Sequence, residues 1–156
     1  MSKKERFKTP SAVFGIIIEN NKILLQKRKN TGYRDGYYDF AATGHVEDHE
    51  MLTTAMCREF KEELNIDIEE NDLKFMTMVH RKDVIFGTIY YDTYFLVEKF
   101  SGTPIVNEPE KCEEIKWFSL DDLPSNLIDD RAFALKNYFN NISYGEYGWD
   151  VEENER

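Results

Sequence analysis

Glu59, Glu62 and Glu63 share one stretch, Met51 to Leu64, whose apolar spacing reads as an amphipathic helix. On a wheel of about 100° per residue with Leu52 at zero, Ala55, Met56, Phe60 and Leu64 define an apolar side roughly 180° wide. Thr54, Arg58 and Lys61 lie opposite and read as its solvated face. Glu59 and Glu63 each fall about 20° from Leu52, in the middle of the apolar side, and Glu62 about 80° away at its edge. A merely solvated acidic face would put these charges opposite the core. Their proximity to one another costs roughly 0.2–0.5 kcal/mol per pair, and the helix dipole adds about 0.3–1 kcal/mol. Desolvation of an unpartnered inward carboxylate is the larger cost. Something positive must compensate. An internal Arg or Lys is one candidate; a divalent cation held by carboxylate oxygens is the other, and that chemistry suits Mg²⁺.

The rest of the chain must position that helix. It has 156 residues, with 30 Asp plus Glu against 20 Lys plus Arg, for a formal net charge of −10. That length suits one domain, and a hydrophobic content of 41% can build its core. Ala12–Glu19 and Lys22–Arg28 read as strands joined at Asn20-Asn21, a hairpin turn. Lys29–Gly36 has a loop's composition, Tyr37–Ala42 reads as a short strand and Thr43–His49 as a turn. Asn65 closes the glutamate helix in a left-handed cap. Leu73–His80, Thr88–Phe100 and Glu114–Phe118 read as strands, the second apolar on both faces, as a central strand is. Arg131–Asn141 reads as a closing helix with Ala132, Leu135 and Phe139 on one stripe. The expected organisation is a polar segment at 1–10, one domain at 11–141 and an acidic tail at 142–156, in an α/β layered fold.

Several function classes are disfavoured by composition. A pI near 4.8 argues against gripping nucleic acid through its backbone charge. No apolar run approaches the ~20 residues of a membrane helix, and no signal segment opens the chain, so a cytoplasmic protein is expected. Cys57 and Cys112 form neither a disulfide framework nor a metal pair.

From Gly44 to Ile66 the residues resemble the Nudix box: Gly, five residues, Glu, seven residues, Arg-Glu, an apolar residue, any residue, Glu-Glu, any residue, Gly and an apolar residue. Gly44, Glu50, Arg58, Glu59, Phe60, Glu62, Glu63 and Ile66 hold their places. Asn65 replaces the family's Gly, a mild change because Asn also tolerates the left-handed region. The Glu108–Phe118 run extends the resemblance toward MutT-type members, over about Ser11 to Asn141. It implies an α/β/α sandwich with a mixed β-sheet and Mg²⁺- or Mn²⁺-dependent cleavage of nucleoside-diphosphate-linked substrates.

The resemblance further implies that Glu59 and Glu63 are metal ligands and Glu62 a ligand or the base. Gly44 would offer a carbonyl to the metal, Arg58 would orient the glutamates, and Glu50 would be structural at the helix start. A further acid is expected from Glu110 or Glu113. Arg28, Lys27, Lys29 or Arg34 would hold outer phosphates, while His45 and Phe40 are candidate substrate contacts, with Tyr37 and Phe118 as further stacking candidates. His49 and His80 are expected to be structural. The family's proline about fifteen residues beyond the box in ADP-ribose hydrolases is absent, as is the tyrosine of dinucleotide hydrolases. The expected substrate is therefore an NTP or dNTP, oxidised forms included, cleaved to the monophosphate and pyrophosphate. Nucleotide sugars, dinucleotides and capped RNA are alternatives, followed by an isoprenoid diphosphate isomerase and a non-catalytic binding module. The aromatic residues of the tail leave a homodimer contact open.

Overall fold

Asn20 and Asn21 take left-handed φ angles of 50° and 60°, a region that few residues other than Gly, Asn and Asp enter readily. In the computed structural model, which describes residues 4–150, they close the expected hairpin between β2 (Ile18–Glu19) and β3 (Lys22–Arg28). The apolar run before them is two strands rather than one. β1 (Ser11–Ile16) belongs to one sheet, and beyond Ile17 the chain enters the other.

The first sheet is mixed, in the order β5 (Ala42–His45), β1, β7 (Ile89–Val97), β6 (Leu73–Lys82) and β9 (Tyr144–Tyr147). β1 runs parallel to β7 and β9 parallel to β6; the other pairs are antiparallel. In the second sheet β3 pairs antiparallel with β2, β4 (Tyr38–Phe40) and β8 (Cys112–Ser119). α1 (Leu52–Leu64) and α2 (Asp129–Phe139) pack with different cores. Along β1 the period-two alternation sends Phe14 and Ile16 toward the core that includes Ala134 and Leu135 of α2, and Val13 toward the one that includes Met56 and Phe60 of α1. This is the expected mixed α/β fold with a helix on either side of a mixed sheet. Among the described residues no helix is long and apolar enough to cross a membrane.

Three local readings change. Thr43–His45 is strand, not turn, because it pairs with Ala12–Phe14 and so carries Gly44 against α1. Tyr144–Tyr147, expected within an acidic tail, is an edge strand of the first sheet. Its Gly145 lets α2 lie close: a Cβ there would stand 2.6 Å from the Asn137 side-chain nitrogen. The end of the tail, residues 151–156, and the first three residues of the polar N-terminal segment lie outside the described residues. On α2, Phe139 is exposed while Ala134 and Leu135 are buried, so the inward stripe is rotated from the expected one.

α1 ends as read: Asn65 has φ 54° and ψ 40°, and its N–H donates to Lys61 O at 3.1 Å. Asn65→Ala should cost about 1 kcal/mol in urea unfolding, since alanine lacks the side chain that eases left-handed backbone. Asn65→Gly should be neutral or stabilising, and equal stability of the alanine and glycine variants would contradict this account.

Candidate active site

Gly44 explains the placement of the first glutamate. A Cβ on Gly44 would lie 2.1 Å from both Cδ and Oε1 of Glu59, so only glycine lets α1 bring that carboxylate against β5. Glu59 is buried, and its Oε1 accepts a 2.8 Å bond from Arg58 Nη1. Burial pushes its carboxyl up to about 7, with Glu62 and Glu108 adding in the same direction against the pull of Arg58. Glu63, one turn on, is held differently. Its Oε2 accepts from the Thr43 N–H at 2.8 Å and its Oε1 from Gln26 Nε2 at 3.4 Å. Among the described residues no cation pairs with it, and burial, reinforced by Glu59, holds its carboxyl well above the usual range. Glu62 is exposed, 3.4 Å from Arg58 Nη1.

Arg58, which the wheel puts on the solvated face and the box implies to orient the glutamates, is an organising hub. Its Nε and Nη2 donate to the two oxygens of Glu50 at 2.8 and 2.9 Å, and Nη2 also reaches His45 O at 3.1 Å. Those bonds, with the Glu47 N–H on Glu50 Oε1, lower the Glu50 carboxyl to about 2. Glu50 caps nothing: it clamps the arginine that in turn bonds Glu59.

These groups line one end of a cleft of about 700 Å³. The structure brings Arg28, His45, Gly44, Arg58, Glu59, Glu62 and Glu63 to it as expected, and leaves others out. Phe40 is fully buried, edge-on to Tyr94, so it is core and not a substrate contact. Arg34 stacks over Tyr37 away from the cleft. Tyr37 and Phe118 do not line it either, and Lys27 pairs with Glu113 at 3.4 Å. Neither Glu110 nor Glu113 reaches the cleft; the acid that does is Glu108, with Lys111 beside it. The tight turn made by Lys111 N–H and Cys112 N–H on Glu108 O presents both. The signal was present in the Glu-Pro-Glu-Lys-Cys run, at its first glutamate rather than its later ones.

The donor set tests whether a divalent cation fits. It offers carboxylate oxygens, among them those of Glu63, a partly buried group without a cationic partner among the described residues, and those of Glu59, seated where a Cβ on Gly44 would stand. This is hard-oxygen chemistry of the kind Mg²⁺ takes. No three acidic, imidazole or thiol groups among the described residues stand close enough to share one ion in this arrangement.

The fold is a mixed sheet flanked by helices, with a glutamate-bearing helix facing a cleft that also holds Glu108 and Lys111. A NUDIX domain family model matches residues 8–139, and the chain belongs to that family, as a Nudix hydrolase of the MutT type. A MutT NUDIX hydrolase from Burkholderia pseudomallei is 32% identical, with a TM-score of 0.75 over 83% of this chain and 98% of that one. The E. coli ORF135 protein is 26% identical, with a TM-score of 0.69 over 86% and 91%. A bifunctional NMN adenylyltransferase/ADP ribose pyrophosphatase from Francisella tularensis shares the fold at 19% identity, with a TM-score of 0.66 over 86% of this chain and 42% of its own.

Proposed function

We propose that the protein hydrolyses nucleoside or deoxynucleoside triphosphates to the monophosphate and pyrophosphate, with Mg²⁺, or Mn²⁺ in its place, as cofactor. Glu59 and Glu63 would hold the metal, with the Gly44 carbonyl and one or both of Glu62 and Glu108 completing its protein ligands. The bound cation would neutralise phosphoryl oxygens and acidify water. Arg58, fixed by Glu50, orients Glu59. Glu62 is exposed and loosely held, free to accept a proton from an attacking water. Lys111 places an ammonium on the cleft wall for a phosphate, whereas Arg28 is committed to Asp39 at 3.1 Å and to the Tyr33 carbonyl at 2.8 Å. The observation that carries the reading is Glu63, a partly buried carboxylate with no cation to balance it among the described residues. The matched MutT hydrolase of 32% identity supports the triphosphate class.

Substrate loss and products should be followed chromatographically over a panel of NTPs, dNTPs, a nucleotide sugar and a dinucleoside polyphosphate, with and without Mg²⁺ or Mn²⁺, and pyrophosphate assayed for the triphosphates. Triphosphates should dominate, only with metal present. Preference for the sugar or dinucleotide, or release of orthophosphate alone, would overturn the assignment.

A further inference from the structure

The cleft's other end is walled by residues that the glutamate chemistry leaves unused. Phe86 is 66% exposed at the tip of the β6–β7 connection. That tip is a braced turn: Asp83 N–H donates to Thr88 O and Gly87 N–H to Asp83 O, both at 2.8 Å, and the Phe86 N–H donates to the Asp83 carboxylate. Beside it, on the β3–β4 loop, the Tyr33 ring lies 6.2 Å from that of Phe86, tilted by 38°. Its hydroxyl donates to the same carboxylate at 3.1 Å. Asp83 is itself buried, 3.5 Å from Arg81. One buried carboxylate therefore fixes two aromatic rings carried by loops of different sheets. Because the Phe86 ring is already held in place while largely exposed at the cleft rim, a ligand that covers it gains apolar burial at little ordering cost.

We propose that Phe86 and Tyr33 form the stacking wall for the substrate's nucleobase, with Asp83 as the positioning residue for both rings. This rests on the reading of the cleft as a nucleoside triphosphate site. The floor beside the wall selects among flat or apolar groups. Arg81, Asp83 and Arg131 line it while nearly fully buried, and a hydrocarbon tail laid over them would strip their remaining solvation without return. A ring with an apolar face and hydrogen-bonding edges suits both surfaces. Tyr90, over the Arg81 guanidinium at 4.3 Å and stacked with His45 at 5.5 Å, continues the aromatic lining toward the glutamates.

The test is equilibrium binding, with Mg²⁺ present, of α,β-methylene nucleoside triphosphates and of inorganic tripolyphosphate to wild type, Phe86→Ala and Phe86→Trp. Loss of one stacking face should weaken nucleotide binding about tenfold in Phe86→Ala, while tripolyphosphate changes by less than twofold. Phe86→Trp should restore nucleotide binding. Unchanged nucleotide affinity in Phe86→Ala, or equal losses for both ligands, would overturn the wall. Should wild type release no pyrophosphate from any nucleotide yet show the binding contrast, the hydrolytic reading fails and the wall stands. Should it hydrolyse nucleotides that Phe86→Ala binds as tightly as wild type, the wall alone fails.

Discussion

Glu63→Gln should lower kcat/KM for the best triphosphate about a thousandfold, the loss of ~4 kcal/mol of transition-state stabilisation, while leaving the fold intact. The two halves of this expectation have separate causes. Glutamine has the same shape, and its carbonyl can still accept the Thr43 N–H that Glu63 takes at 2.8 Å. Its amide, however, then faces the Gln26 amide, and the 3.4 Å bond there is lost. Against that small loss, burial already disfavours the charged form of Glu63 in the metal-free protein, so a neutral amide of the same shape should keep metal-free stability within ~1 kcal/mol of wild type. The cofactor's contribution separates the proteins. Mg²⁺ should raise the melting temperature of wild type, because it binds the native state alone, and should raise that of Glu63→Gln far less. Full turnover in the variant, or an equal Mg²⁺ response in both, would take Glu63 out of the metal site.

What the sequence made legible, and what it did not, follows the range of the physics involved. The inward aim of Glu59 and Glu63 is a property of one helix's period, so a local wheel found it, and the Asn20-Asn21 and Asn65 backbone conformations are equally local. Choosing Glu108 over Glu110 and Glu113 depends on a turn whose amides fold onto Glu108 O, and three neighbouring glutamates look alike without it. Phe40 was a plausible stacking partner from its neighbours, but its strand lies between β3 and the buried ring of Tyr94, where an aromatic is core. Tyr33 and Phe86 meet only because loops about fifty residues apart converge on Asp83. β9 escaped because four residues with a central glycine carry little strand signal, and their pairing with β6 is long-range. The wheel puts Arg58 on the solvated face, while the box implies that it orients the glutamates, and its bond to Glu59 agrees with the latter. The wheel gives a residue's direction, while Glu50, outside the helix, decides where its guanidinium is held.

Asp39→Asn should destabilise the fold by about 3–5 kcal/mol, a large fraction of the roughly 5–15 kcal/mol that holds a domain folded. Asp39 is fully buried on β4. Its carboxylate accepts from Arg131 Nε at 2.9 Å and Nη2 at 3.2 Å, from Arg28 Nη1 at 3.1 Å and from the Phe40 N–H at 2.8 Å. It thereby ties α2 to the second sheet and, through Arg28, to the loop that carries Tyr33. An amide offers one acceptor oxygen and turns two donors toward guanidiniums that cannot lose their charge. Asp130 still pairs with Arg131 at 2.8 Å, which places the cost toward the lower end of that range. The pH dependence checks the cause. Burial alone would raise the Asp39 carboxyl, but Arg131 and Arg28 outweigh it and hold it below its ordinary value. A depressed native pKa means that the unfolded chain takes up the proton first as pH falls. The carboxylate's contribution is therefore complete above about pH 4, the unfolded value, and is lost as pH falls through the lower native one. In urea unfolding the gap between wild type and Asp39→Asn should be the same at about pH 7 and pH 5 and should narrow at about pH 3. A gap below ~1 kcal/mol at neutral pH would mean that Asp130 suffices to balance Arg131, and a gap that persists undiminished in acid would assign the loss to packing rather than charge.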